Sequence, residues 1–284
     1  MSTPTTSGEV YLYGAHTSAW TPAGEDPVIW MSKASAFAAG EPIRGGIPIC
    51  FPWFGPGRDS TMSPVHGFAR LAHWSLVGAE DGDGAATLTF RLTDSDVAGL
   101  PSVQFWPHPF ELTYSMTFGA ELAIDLAVRN TGEEAYSFEE ALHTYFAVKD
   151  IAGVTIEGLD GLQFLDRAPN APTEPAPQVG VVTFTDETDR VHSSVGASAI
   201  VDPAGRGVIT VAKDRSANTV VWNPWSAKAA AMPDFGDDEW TDMVCVETAN
   251  VLHHAVTLGA GDLHTMSTRY SVSHPSEGVG AQHI

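Results

Sequence analysis

The chain has 284 residues, 43% of them hydrophobic, with 35 acidic against 14 basic residues and a formal net charge of −21. That length permits a sizeable core in one large domain or two ordinary ones. The charge repels nucleic acid and anionic membrane surfaces, so neither is an expected partner. No apolar stretch approaches the roughly 20 residues of a membrane helix, and the polar start Met1 to Gly8 lacks the basic-then-apolar pattern of a secretory signal. Cys50 and Cys245 each lie in an apolar, strand-like run, which excludes a disulfide framework and suits a reducing compartment. A soluble, cytoplasmic protein is expected.

Apolar residues alternate with polar or small ones in many short runs, and helical periodicity is hard to find. In chain order, strands are expected near 9–14, 26–31, 73–79, 85–92, 110–118, 122–128, 135–148, 179–185, 198–203, 207–213, 218–223, 242–248 and 263–273. The clearest is Leu122, Ile124, Leu126 and Val128, interleaved with Ala123, Asp125, Ala127 and Arg129. Gly119 and Ala120 separate it from Phe110 to Phe118, which predicts a hairpin. The Pro/Ala-rich stretch 166–180 and the Ala/Gly/acidic stretch 226–241 read as long surface loops. Neither is a convincing linker and no internal repeat is evident, so residues 1–284 are expected to form a single all-β domain, a large sandwich or barrel.

Four segments carry chemistry-bearing residues. In Ile43 to Pro56, Arg44 precedes paired glycines, which allow close backbone approach to a ligand, and a guanidinium forks two phosphate oxygens. The same residues also suit a plain turn with a surface arginine. Pro64 to Arg70 sets His66 and Arg70 four residues apart around Gly67; a lone histidine there is as well explained structurally. In Glu139 to Val148, a strand would put His143 on the face of Tyr145, with apolar bulk on both faces. A histidine so placed faces a core or a cavity, where it would serve as a proton shuttle near neutral pH. In Asp242 to Asn250, strand alternation puts Glu247 on the face of Met243 and Cys245, where burial would raise its pKa, unless it is a strand-end carboxylate reaching solvent. No HExxH, CxxC, GxSxG or P-loop lysine motif occurs, which withdraws support from a metal site, acyl transfer and nucleotide hydrolysis.

Taken together, Arg44-Gly-Gly-Ile-Pro, His66-Gly-Phe-Ala-Arg70, Leu142-His143-Thr-Tyr-Phe, Trp222-Asn-Pro-Trp225 and Cys245-Val-Glu247 resemble, in that order, the aldose 1-epimerase superfamily and its glucose-6-phosphate 1-epimerase branch. The resemblance runs from about Val28 to about Tyr270. It implies a galactose-mutarotase-like supersandwich of antiparallel sheets with an open cleft for a sugar, and a mutarotase that interconverts the anomers of a hexose 6-phosphate without metal or cofactor. It also implies His143 as general acid and Glu247 as general base, Arg44 and Arg70 as the phosphate and sugar clamp, Asp189 as a sugar hydroxyl ligand and His66 as a positioning group. Val65 stands where relatives often carry Gln, which leaves sugar preference open. An epimerase of unphosphorylated aldoses and a non-catalytic carbohydrate-binding module remain the alternatives. A monomer is expected, because no exposed apolar stripe stands out.

Overall fold

The computed structural model describes residues 1–57 and 60–274. Two eight-stranded antiparallel sheets dominate it. One runs in the order Ala176–Pro177, Gln163–Asp166, Thr188–Ser193, Asn218–Asn223, Met243–Asn250, Glu140–Leu142, Ile49–Cys50, with Tyr145–Ala147 also paired to Met243–Asn250. The other runs Thr155–Glu157, Ser198–Asp202, Gly207–Asp214, Leu263–Ser273, Leu122–Asn130, Phe110–Phe118, Ala85–Thr93, Ser75–Gly82. Period-two patterning explains the second sheet. Leu112, Tyr114, Met116, Phe118, Leu122, Ile124, Leu126 and Val128 are all buried, while their sequence neighbours turn outward.

The central strand of the first sheet, Met243–Asn250, is buried at every position. Val244 and Val246 join the core between the sheets, together with Val221, Leu142 and Phe146. The opposite face carries two smaller apolar clusters. One gathers Trp30, Tyr145, Trp222, Phe235, Met243 and Cys245; the other gathers Cys50, Phe54, Ala141, Val191, Val220 and Ala249. Glu247 lies between them in the strand.

Several expectations need correction. The segment 26–31 forms no strand, only isolated bridges from Ile29 to Phe146 and from Met31 to Gly45, and 179–185 contributes a single bridge, Val182 to Ile156. The segment 135–148 breaks into Tyr136–Phe138, Glu140–Leu142 and Tyr145–Ala147. The expected strand at 9–14 is instead the hairpin Thr6–Tyr11 with His16–Pro22. Short strands at Thr155–Glu157, Gln163–Asp166, Thr188–Ser193 and Val256–Leu258 carry too little patterning to be read from sequence. The expected loop 226–241 opens with the helix Trp225–Ala231, whose run of alanines favours helix, and closes on the 3-10 turn Glu239–Asp242. No described helix is long and apolar enough to cross a membrane.

The segment around Ile49–Cys50 is clipped to 66–69 by backbone bonds. The His66 amide donates to the Gly55 carbonyl at 2.7 Å, and the Phe68 amide donates to the Phe51 carbonyl at 3.0 Å. Gly67 makes this possible. Its φ is +75°, and a Cβ there would run into the Phe51 carbonyl. Gly161 has the same handedness, φ +76°, but a Cβ there would meet nothing within 4 Å. Gly161→Ala is therefore expected to cost about 1 kcal/mol, the left-handed conformation alone. Gly67→Ala should cost about 3 kcal/mol or more, because backbone has to move. Urea unfolding of the two variants checks this; equal losses would show that close approach does not set the requirement at Gly67.

Candidate active site

Register explains how the acid and base candidates meet. Thr248 pairs with Leu142 and Cys245 pairs with Tyr145, so the same antiparallel register sets Glu247 opposite His143. The ladder is interrupted there, because the His143 amide donates instead to the Pro48 carbonyl at 3.0 Å. The interruption leaves the two side chains facing the same side, with His143 Nε2 3.4 Å from Glu247 Oε1. His143 still stacks on Tyr145, ring centroids 4.9 Å apart, as strand alternation predicts. Glu247 is 1% exposed; its Oε2 and His143 Nδ1 have no hydrogen-bond partner among the described residues.

These two groups form the floor of a cleft of about 320 Å³ that Arg44, His66, Arg70 and Asp189 also line. The six residues singled out in the sequence thus converge on one cavity. His66 packs edge-on to His143 at 5.5 Å, and its Nδ1 accepts from the Gly55 amide at 3.2 Å. That bond leaves Nδ1 unprotonated, so a neutral His66 presents an Nε2–H donor. Arg44 is held by Asp234, with Nε and Nη2 at 3.1 and 3.0 Å from Oδ2, and donates from Nη1 to the Tyr145 hydroxyl at 3.0 Å. Arg70 donates from Nη2 to the Val65 carbonyl at 2.7 Å, while its Nε is buried without a partner among the described residues. The Val65 side chain is exposed at the cleft and offers no polar contact of its own. Asp189 pairs in register with Trp222, another lining residue, which puts both on the face of Glu247.

Two charged lining residues are not legible in the sequence: Arg167 and Lys228. Arg167 sits in the stretch whose composition suggests a loop, anchored by its amide to the Asp189 carbonyl at 2.7 Å, with its guanidinium 5.2 Å from the Phe54 ring centroid. Lys228 projects from the Trp225–Ala231 helix and pairs with Glu187 at 2.6 Å. No local signal marks either one, since both reach the cleft only through tertiary packing.

Burial governs the electrostatics. It pulls His143 down to about 3, with the fields of Arg70 and Arg44 adding to it. Burial likewise holds His66 well below its usual value. It raises Glu247 well above the usual carboxylate range, and the neighbouring Asp189 adds to the rise. Asp189 itself is raised by burial. Burial thus disfavours the charged form of both groups, whose nearest atoms lie 3.4 Å apart.

The family model for aldose 1-epimerase matches residues 1–271. The chain belongs to the aldose 1-epimerase family. It is 42% identical over 248 residues to a candidate glucose-6-phosphate 1-epimerase of Escherichia coli (strain K12), covering 87% of this chain and 80% of that protein. Among solved structures, a candidate mutarotase from Salmonella typhimurium superimposes with a TM-score of 0.86 at 33% identity, covering 96% of this chain and 89% of that one. A galactose mutarotase-like protein from Lactobacillus casei shares the fold, with a TM-score of 0.74 at 14% identity and coverage of 96% and 99%. This aldose 1-epimerase has the galactose-mutarotase-like architecture of antiparallel sheets and is an enzyme that interconverts sugar anomers, so its substrate is a small sugar molecule.

Two buried histidines outside the cleft, His16 and His192, give the epimerase a testable pH dependence, to which the lowered His66 adds in the same direction. Burial lowers His16 to about 3 and His192 to about 4, against about 6.5 in an unfolded chain. Both stay unprotonated in the fold while the unfolded chain takes up protons, so their stabilisation is complete above pH 6.5 and lost as pH falls toward 4 and 3. Glu247 offsets His143 over this range, because its raised pKa favours the folded state as pH falls. At pH 5 each of His16 and His192 should cost about 2 kcal/mol relative to pH 7. Urea titrations at pH 7 and pH 5 should show this loss, and His16→Gln should shrink it; an unchanged difference would mean that His16 is protonated within the fold.

Proposed function

We infer that the enzyme is a mutarotase of hexose 6-phosphates, with glucose 6-phosphate the leading substrate, and that the 1–284 chain works as a single-domain, cytoplasmic monomer. The observation that carries the substrate class is the clustering of cations. Arg44, Arg70, Arg167 and Lys228 line one cleft in a chain with only 14 lysines and arginines and a net charge of −21. A global field of that sign repels an anionic sugar, so a local concentration of positive charge argues for selection of one. Burial and the like charge of Arg44 lower the pKa of Arg70, which expresses a cation short of partners. The related proteins' names point the same way: the E. coli relative is a candidate glucose-6-phosphate 1-epimerase. The cleft volume falls at the small end of small-molecule sites, which suits one hexose phosphate.

The chemistry needs one proton donor and one proton acceptor. To open a cyclic hemiacetal, a base takes the proton of the anomeric hydroxyl while an acid protonates the ring oxygen; after rotation about the C1–C2 bond the transfers reverse and the ring closes on the other face. In this reading Glu247 is the base and His143 the acid. In the reactive complex a proton has to reside on His143, whose Nε2 lies 3.4 Å from Glu247 Oε1. An anion on the arginines favours it, since Arg70 and Arg44 are the charges that disfavour an imidazolium. The phosphate is remote from the reacting carbon and supplies orientation. His66 donates its Nε2–H to a sugar oxygen, Arg44 and Arg70 fix the phosphate and the adjoining sugar oxygens, and Asp189 accepts from a sugar hydroxyl.

Proton NMR of anomer exchange tests both parts of this reading. Turnover of glucose 6-phosphate should exceed that of glucose and of galactose. His143→Ala or Glu247→Gln should each lower the exchange rate by at least about 100-fold while binding persists. Near-normal exchange in Glu247→Gln would remove it from the mechanism, and equal use of the three sugars would remove the anion from the substrate.

A further inference from the structure

The four cleft cations are not equivalent once their partners are counted. Arg44 has committed Nε and Nη2 to Asp234 and Nη1 to Tyr145, so its charge is already matched. Lys228 is matched by Glu187. Arg70 lacks a carboxylate partner among the described residues, but one end of its guanidinium is tied to the Val65 carbonyl. Arg167 stands apart: among the described residues no carboxylate lies within ion-pair distance of its guanidinium, and no hydrogen bond of the guanidinium is present.

What holds Arg167 leaves its donors free. Its backbone is fixed by the bond to the Asp189 carbonyl, and the adjoining Asp166 side chain accepts from the Ala168 amide at 3.0 Å. Its guanidinium carbon lies 5.2 Å over the Phe54 ring centroid, a contact that uses no hydrogen-bond acceptor. Gly55 supplies the room: a Cβ there would come within 2.8 Å of Arg167 Nη2. A residue with a side chain at 55 would push the guanidinium out of this position. A planar cation over an aromatic ring, lining the cleft with no side-chain hydrogen bond among the described residues, is suited to fork two oxygens of a phosphate.

We propose that Arg167, seated on Phe54 and against Gly55, binds the phosphate of the substrate and decides the preference for phosphorylated over free hexoses. The proposal rests on the anionic-substrate reading above. Arg167 then completes a three-arginine site in which Arg44 is pre-held by Asp234, Arg70 lies recessed and Arg167 supplies the unmatched fork. The competing account is purely structural, with Arg167 serving only to cover Phe54.

Kinetics of anomer exchange in Arg167→Gln and Arg167→Lys separate the two, with thermal midpoints as a check on folding. For Arg167→Gln the expected result is a rise of about 10- to 100-fold in KM for glucose 6-phosphate, with kcat little changed and kcat/KM for glucose within about twofold of the parent. Arg167→Lys should recover part of the loss, because it keeps the charge and forfeits the fork. Competition by inorganic phosphate against glucose turnover should weaken in parallel in Arg167→Gln. Equal losses on both sugars, or no loss on either, would overturn the assignment to Arg167 while leaving the anionic-substrate reading intact, provided the parent enzyme still favours glucose 6-phosphate. A parent enzyme indifferent to the phosphate would overturn both.

Discussion

Antiparallel pairing through the middle of one sheet puts a carboxyl and an imidazole 3.4 Å apart on a face flanked by two apolar clusters, and leaves one oxygen of the first and one nitrogen of the second without partners among the described residues. Burying ionisable groups without full satisfaction costs folding free energy. The surrounding structure absorbs that cost. The inter-sheet core beneath Val244 and Val246 fixes the strand from one side, and the two apolar clusters around Trp222 and Val220 hold the other face apart from water. The packing around them holds both unpaired atoms in place, away from the surface.

The same burial sets the charge states. With the imidazole lowered and the carboxyl raised, burial disfavours both charged forms. Arg44 and Arg70 add their positive fields to the burial that lowers His143, and they gather positive charge in the cleft of a chain whose net charge is −21.

Loop 226–241 shows how a segment that looks like punctuation becomes part of the site. Its helix brings Lys228 to the rim, and beyond the helix Asp234 holds Arg44. Asn223 ties the excursion down by donating to the Trp240 and Met243 carbonyls at 2.8 and 3.0 Å. The stretch 166–180 behaves alike, delivering Arg167 from its first residues. Both look like surface because their composition is polar or Pro/Ala-rich, and composition does not reveal what a loop folds back upon.

The sequence by itself determined the class of fold, because period-two burial in runs such as Phe110–Phe118 and Leu122–Asn130 is a one-dimensional record of which face meets the core. It also marked Arg44, His66, Arg70, His143 and Glu247 as residues of interest, since each sits beside glycines or within apolar strands where an ionisable side chain is out of place; Asp189 came only with the family resemblance. It did not determine the breaks in 135–148 or the lack of strands at 26–31 and 179–185, which depend on whether a partner edge is available. Only the tertiary structure decided that Glu247 lies opposite His143, that Arg44 is matched by Asp234 and that Arg167 reaches the cleft past Gly55. Those contacts join residues far apart in the chain. Pair distances across such separations are set by sheet register and loop closure, which no local pattern of residues encodes.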